Sequence, residues 1–180
     1  HAGAVELFVK KNATLRYSTI ENWSRNMYNL NTKRAIVDEN GTIEWVSGSF
    51  GSKVSLLYPM SVLRGEGAKS EFTGITFAGN DQYLDTGAKV IHAAPRTSSS
   101  INSKSISKGN GVAIYRGLVS VKPNCPGCKS TVTCESLMLD QESQSDTIPV
   151  IDIQTSDIDL GHEAKIGRID DDVIFYLMSR

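Results

Sequence analysis

The sequence predicts an all-β fold and, within that class, a β-solenoid. Three observations carry the prediction. Helix signals are scarce, and what recurs is alternation over about five to eight residues ended by Gly, Asn, Asp or Ser. Hydroxyl residues are abundant, with 21 Ser and 12 Thr. Many lie inside strand-like stretches, where a small side chain stacks well on its counterpart one coil along. The connections also read as short Gly/Asn corners rather than long crossovers. A sandwich or barrel accommodates strands at this spacing too. Hydroxyl stacking and short corners favour the solenoid, although no strict sequence period is visible.

Each element has its own signal. Ala4–Val9 alternates and ends at Lys11-Asn12. Thr42–Val46 follows the turn pair Asn40-Gly41, and Lys53–Tyr58 is cut by Pro59, which offers no backbone N–H. Phe72–Phe77 precedes Gly79-Asn80, and Thr97–Ser107 is a long Ser-rich stretch. Val112–Tyr115 and Leu118–Val121 flank Arg116-Gly117, which reads as a turn. Thr131–Leu139 is the clearest period-2 run, and Val150–Gln154 and Asp157–Leu160 alternate late in the chain. From Ile169 the pattern changes. Asp170, Asp171 and Asp172 suit the positive end of a helix dipole, and Ile174, Leu177 and Met178 have helical spacing. The expected organisation is a β-helical core over residues 1–168 and the start of a helical region over 169–180.

Composition narrows the function classes. The 180 residues carry 19 Lys/Arg and 20 Asp/Glu, a net charge of −1, which argues against a general nucleic-acid binder. No apolar run is long enough for a membrane span. Three Cys are too few for a disulfide scaffold and favour a reduced, cytoplasmic setting. The chain starts at His1 without Met and reads as a piece of a longer protein. Its charge is uneven. Residues 1–134 hold 16 Lys/Arg against 9 Asp/Glu, whereas residues 135–172 hold 2 against 11. Such polarity steers partner proteins more often than it performs chemistry, and a solvated face is the simpler alternative.

Several nucleotide and hydrolase patterns are absent. Gly109-Asn110-Gly111 and Arg64-Gly65-Glu66-Gly67 lack the Lys-Ser/Thr of a P-loop, so any ATP must bind a partner. No Gly-x-Ser-x-Gly element occurs. Asp170-Asp171-Asp172 resembles a hard-cation site but is explained by helix capping. Cys125-Pro126-Gly127-Cys128 is a CxxC. Two thiolates around a Pro-Gly turn can chelate metal or cycle as a redox pair. A full cysteine site needs four ligands and the chain has three Cys, so a turn without a chemical role stays open.

An ordered set of runs resembles the SufB branch of the SufB/SufD iron–sulfur cluster assembly family. It comprises Tyr17-Ser18-Thr19-Ile20-Glu21-Asn22-Trp23, Tyr28–Ala35, Asp85-Thr86-Gly87, Ile91-His92, Thr97–Ser107 and Tyr115–Val119. Cys134-Glu135-Ser136, His162-Glu163-Ala164 and Phe175–Arg180 complete it, and the set covers nearly the whole chain. The resemblance implies a right-handed parallel β-helix and a cytoplasmic, non-catalytic scaffold for iron–sulfur clusters. It implies as partners a SufC-type ABC ATPase docked through helices beyond Arg180, SufD or a second SufB copy, and a sulfur donor. It also implies a stretch before His1 with a sulfur-receiving cysteine.

The resemblance makes Cys134 the principal iron ligand or sulfur acceptor. A thiolate suits either role. Alternation puts Cys134 on one face with Val132, Ser136 and Met138 without saying which face is inside, and a small buried hydrophobe is the usual fate of a free Cys. His162 and Glu163 are secondary ligand candidates, since imidazole and carboxylate both bind iron. They follow Cys134 by 28 and 29 residues, near one to one-and-a-half coils if a coil takes about twenty residues or more. Relatives often carry an acidic residue where this chain has Gly161. By resemblance, Glu21, Trp23 and Lys33 line a route for sulfur. Gln is common at the first position, and a carboxylate there disfavours an anionic species. Core packing is the plainer role for Trp23.

Two functional classes follow. One is a scaffold that holds nascent clusters. The other is a structural module that pairs with a partner and binds no cluster. A carbohydrate-active β-helix enzyme ranks far lower, because the two Trp and scattered acids make no aromatic-lined carboxylate groove. A solenoid has open ends that must be capped or paired. A dimer joined through 150–154 and 157–160, with Cys134 and His162 nearby, is therefore expected.

Overall fold

A computed structural model describes residues 1–180 apart from the side chain of Asp171. Thirteen strands precede one helix: β1 (Ala2–Val9), β2 (Thr14–Glu21), β3 (Tyr28–Val37), β4 (Thr42–Ser49), β5 (Val54–Leu57), β6 (Met60–Leu63), β7 (Lys69–Ala78), β8 (Tyr83–His92), β9 (Ser98–Ser107), β10 (Val112–Val121), β11 (Cys128–Met138), β12 (Gln144–Ile153), β13 (Ile158–Arg168) and α1 (Asp171–Met178). Every strand pairing is parallel and joins a strand to its counterpart one coil away, which makes the chain a β-solenoid.

The coil has two β faces. One sheet runs β1-β3-β5-β8-β10-β12, with β6 also joining β3 to β8, and the other runs β2-β4-β7-β9-β11-β13. A coil takes 26 residues where Tyr28 meets Val54 and 32 where Val112 meets Gln144. This variation is absorbed at the corners, and it explains why the sequence shows no strict period.

Alternate residues of both sheets fill the lumen. Ile43, Leu57, Leu63, Leu84 and Ile101 are fully buried there, each stabilising the fold by about 1.5–3 kcal/mol. Trp45 donates its indole N–H to Ser61 Oγ over 2.9 Å, so this large ring sits inside with its polar atom satisfied. One corner repeats in every coil. Asn12, Asn40, Gly67, Arg96 and Gly127 all have positive φ, and each backbone N–H donates to a carbonyl of the next coil. Asn and Gly tolerate this left-handed conformation best, which is why they punctuate the sequence.

The strands differ from expectation in three places. Arg116-Gly117 is no turn, because β10 runs unbroken through it. Gly117 makes room for the Tyr115 hydroxyl, 2.8 Å from where a Cβ would stand. Gly87 is needed where the carbonyl of Arg116 passes. The late strands are longer than the alternation suggests, since β12 begins at Gln144 and β13 continues to Arg168. β2, β3 and β8 contain runs that carry the resemblance noted above, and the alternation did not reveal their strand character. α1 begins at Asp171 with Asp170 as N-cap, although the Asp170 side chain makes no capping bond. No helix is long and apolar enough to cross a membrane among the described residues.

The solenoid is paired on one side only at each end. At the late end, β12 and β13 are edge strands. Ile148, Val150, Ile151, Ile153 and Ile166 are exposed on them. Pro149 fits an edge, where its missing N–H breaks no second ladder.

Candidate functional site

Cys134 lies in β11, whose inward set is Cys128, Ser130, Val132 and Cys134. Thr131, Thr133 and Glu135 point out, and Cys134 is 2 % exposed. His162 pairs with Val132 in the next coil and also points in. Cys134 itself pairs with Ala164. A strand spacing of about 4.8 Å and two residues of rise put the Cα atoms of Cys134 and His162 about 8 Å apart. One coil takes 30 residues here, so the two residues fall on adjacent strands of one face.

Tyr115 approaches Cys134 from β10 across the lumen. Burial pushes the Cys134 thiol up to about 11, while the nearby Tyr115 hydroxyl opposes the shift. The phenol is also pushed well above its usual range, first by burial and then by Cys134. Around this pair lie buried polar atoms without hydrogen-bond partners: Tyr115 Oη, Thr147 Oγ1, Ser145 Oγ and His162 Nε2. Thr147 pairs with Tyr115 in register, and Ser145 with Ala113. Buried polar groups are seldom left unpaired, and such a concentration suits a place where water or another ligand binds. Sequence reasoning passed over Tyr115 and Thr147 as ligand-site residues, because only the fold brings Tyr115 across the lumen to Cys134 and only the register sets Thr147 beside Tyr115.

Glu163 pairs with Thr133 on the outward face, where its Oε1 lies 3.0 Å from Lys165 Nζ. It does not share a pocket with Cys134. Gly161 has the same outward parity, and a Cβ there would meet open space. A side chain at position 161 would therefore stand on the outer surface.

Cys125 and Cys128 sit at the other end of β11. Six residues of strand, about 20 Å, separate Cys128 from Cys134, so the CxxC and Cys134 do not share a site. Among the described residues, no three His, Cys, Asp or Glu side chains gather as a metal-holding group.

Glu21, Trp23 and Lys33 do come together, beside a recess of about 390 Å³ at the early end of the lumen. Lys33 Nζ donates to Glu21 Oε1 over 2.8 Å and to Thr19 Oγ1 over 3.3 Å, and Asn29 donates to the other Glu21 oxygen. The Lys33 charge neutralises the carboxylate that would otherwise oppose an anion. Trp23 is 41 % exposed and stacks on His1, so it is not a core residue.

Between these ends runs a register column that no spacing rule revealed. Thr19, Ser47, Gly74, Ser103 and Cys134 are successive partners in the β2-β4-β7-β9-β11 sheet. Beside it, Glu21, Ser49, Thr76, Ser105 and Ser136 form a second column of small or polar residues. A cavity of about 10 Å³, room for about one water, lies between them and is lined by Ser47, Ser49, Gly74, Thr76 and Ser103. The next column is bulky, with Tyr17, Trp45, Phe72, Ile101, Val132 and His162.

Residues 1–180 match the family described as SUF system FeS cluster assembly, SufBD core domain. A protein named as an iron-sulfur cluster assembly SufBD family protein from Staphylococcus haemolyticus is 52 % identical over 180 residues, covering all of this chain and 39 % of the relative. One of the same description from Staphylococcus aureus (strain USA300) is also 52 % identical with the same coverage. A Mycobacterium bovis relative is 49 % identical over the whole chain, which spans 21 % of its length. The chain thus spans about two fifths or less of these curated relatives. With a core-domain match from end to end and relatives at about half identity, the chain belongs to the SufBD family of iron–sulfur cluster assembly proteins.

Proposed function

We propose that this chain is the β-helical core of a SufB-type scaffold on which iron–sulfur clusters are built as cargo for other proteins. The observation that carries the reading is an inward thiol, Cys134, and an inward imidazole, His162, on adjacent strands of one face, the imidazole Nε2 having no protein partner. A soft sulfur donor beside a free nitrogen donor suits iron and sulfide. Cys134 is the principal ligand or sulfur acceptor and His162 a secondary ligand. Glu163 acts from the outer surface, beside whatever subunit pairs there. The high thiol pKa means that iron binding must displace a proton, so loading should rise with pH.

The scaffold itself performs no catalysis. It works in a cytoplasmic SufBCD-type complex with a SufC-type ABC ATPase, SufD or a second SufB copy, and a sulfur donor. Glu21, Trp23 and Lys33 mark the early end of a sulfur route, and the small-residue columns toward Cys134 support that reading. Anaerobic reconstitution of the intact protein with iron and sulfide tests it. Cys134→Ala should abolish the cluster absorption, His162→Ala should reduce it, and Glu163→Ala should reduce it least. Full loading and normal assembly by Cys134→Ala would overturn the role of Cys134.

The second reading, a pairing module without a cluster, rests on the exposed aliphatic side chains of β12 and β13. A visible spectrum with iron analysis of anaerobically purified intact protein separates the two. A dimer joined through these strands is compatible with either. A monomer at micromolar concentration would remove the dimer.

A further inference from the structure

The CxxC at the start of β11 lies outside the cluster reading and has a geometry of its own. Cys125-Pro126-Gly127-Cys128 has Pro at the second position and Gly127 at φ +71° in the third, the arrangement of a type II turn. Such a turn holds its first and last Cα atoms within about 7 Å, and a disulfide needs about 4.4–6.8 Å. The two thiols are near enough that Cys128 acts on the ionisation of Cys125.

The corner stack shows how particular this turn is. The equivalent places in the preceding coils are taken by Ala94 and Thr97, Gly65 and Ala68, and Asp38 and Gly41. Among the described residues, only this corner of the stack carries two cysteines, with Cys125 Sγ 3.5 Å from the Pro123 carbonyl. Cys128 Sγ lies 3.2 Å from Thr97 Oγ1 directly beneath it, and Thr97 donates to the Ala94 carbonyl over 3.1 Å.

These surroundings separate redox chemistry from metal binding. The nearest imidazole, His92, has both ring nitrogens engaged, Nδ1 with Thr97 Oγ1 at 2.8 Å and Nε2 with Ser99 Oγ at 3.0 Å. It has no free nitrogen for a metal. Ile158 of the next coil stands over Cys128. Two thiols without further donors can still bond to each other.

We propose that Cys125 and Cys128 form a reversible dithiol–disulfide couple that fastens the corner leading into β11. The oxidant is a low-molecular-weight disulfide. The Cys125 thiolate attacks one of its sulfurs, forming a mixed disulfide and releasing one small thiolate. The Cys128 thiolate then attacks Cys125 Sγ and releases the second. Two protein thiols are oxidised, one external disulfide is reduced to two thiols, and the two protons leave to solvent or those thiolates. Cys125 and Cys128 are 3 % and 1 % exposed, so the exchange requires local opening of the corner and should quicken in mild denaturant.

The test uses the intact protein in glutathione buffers of graded ratio, quenched with acid and alkylated after unfolding. Trypsin releases residues 117–129, a peptide with both cysteines and without Cys134. The couple predicts that this peptide loses two hydrogens under oxidising ratios and regains them under reducing ones. Cys134→Ser should leave the transition in place. Cys125→Ser and Cys128→Ser should each abolish it and stop at a glutathione adduct. The proposal is overturned if the peptide stays reduced at every ratio or ends with two adducts. It is also overturned by a disulfide that includes Cys134, or if both thiols become reactive only when a chelator removes about one metal ion per chain.

Discussion

At the early end of the lumen, Glu21, Lys33 and Asn29 satisfy one another; at the late end, Tyr115, Thr147 and His162 keep polar atoms without partners. Both groups are buried polar clusters of one solenoid, and both face inward. The early cluster is electrically closed, a cation held by a carboxylate that an amide also binds. The late cluster is open, and its thiol is kept protonated by burial. Fully satisfied networks rigidify a fold, whereas half-satisfied ones cost stability and persist where something else completes them. The early cluster therefore serves the fold, and the late cluster is where a ligand has most to gain.

The largest expected effect lies at the closed end. Lys33→Met strands the buried Glu21 carboxylate and should cost about 3–5 kcal/mol in urea unfolding. The double change Glu21→Leu with Lys33→Met should recover most of it. A cost below about 1 kcal/mol for Lys33→Met would show that water solvates the pair and would erase the contrast.

The satisfied His92 gives the next largest effect. Burial lowers its pKa to about 4, so between about 6.5 and about 4 the unfolded chain holds a proton that the folded chain does not. Its contribution is present above about 6.5 and lost as pH falls through about 4, about 3 kcal/mol in all. Comparing unfolding at the two ends of that window in wild type and His92→Gln isolates it, because the variant should lose this part of the acid sensitivity.

Ser103→Val tests the column between the two ends. Extra bulk beneath Cys134 should cost about 1–3 kcal/mol by overpacking. It should also slow labelling of Cys134 by a small thiol reagent. Unchanged labelling would mean that the column is packing alone.

Smallest in stability are the changes at the open end. Tyr115→Phe removes a hydroxyl that acts only on the Cys134 thiol and should shift stability by less than about 1 kcal/mol, while lowering cluster loading by leaving that thiol harder to ionise. Cys134 alkylation in the wild type should keep rising from pH 9 toward about 11. Over that same interval the folded state retains a proton that the unfolded state has released, so stability falls as pH rises.

Much of the fold was legible because alternation and stacked hydroxyls are local signals. The Thr131–Leu139 alternation corresponds to most of β11, and the Ser-rich 97–107 run to β9. Arg116-Gly117 misled because a glycine that admits a close neighbour looks in sequence like one that turns the chain. β12 hid behind Pro149, which an edge strand accepts. Cys134 and His162 were readable as candidates by residue type and resemblance, and their inward facing was not. The pairing of Thr147 with Tyr115, and the column from Thr19, depend on pairings spaced unevenly by 27 to 32 residues. A sequence without a fixed period cannot announce such pairings.

Strands that stack in strict parallel register turn the solenoid into a ruler with discrete marks. From Thr19 to Cys134 there are four steps, each about 4.8 Å, or about 19 Å in total. Corners can lengthen or shorten without moving those marks, since their length variation never enters the sheet. The separation of the two lumen ends can therefore change only by whole coils. Removing one coil would draw the ends together by a single step while each remaining strand met a new neighbour of the same parity. Distance in this protein is counted rather than adjusted.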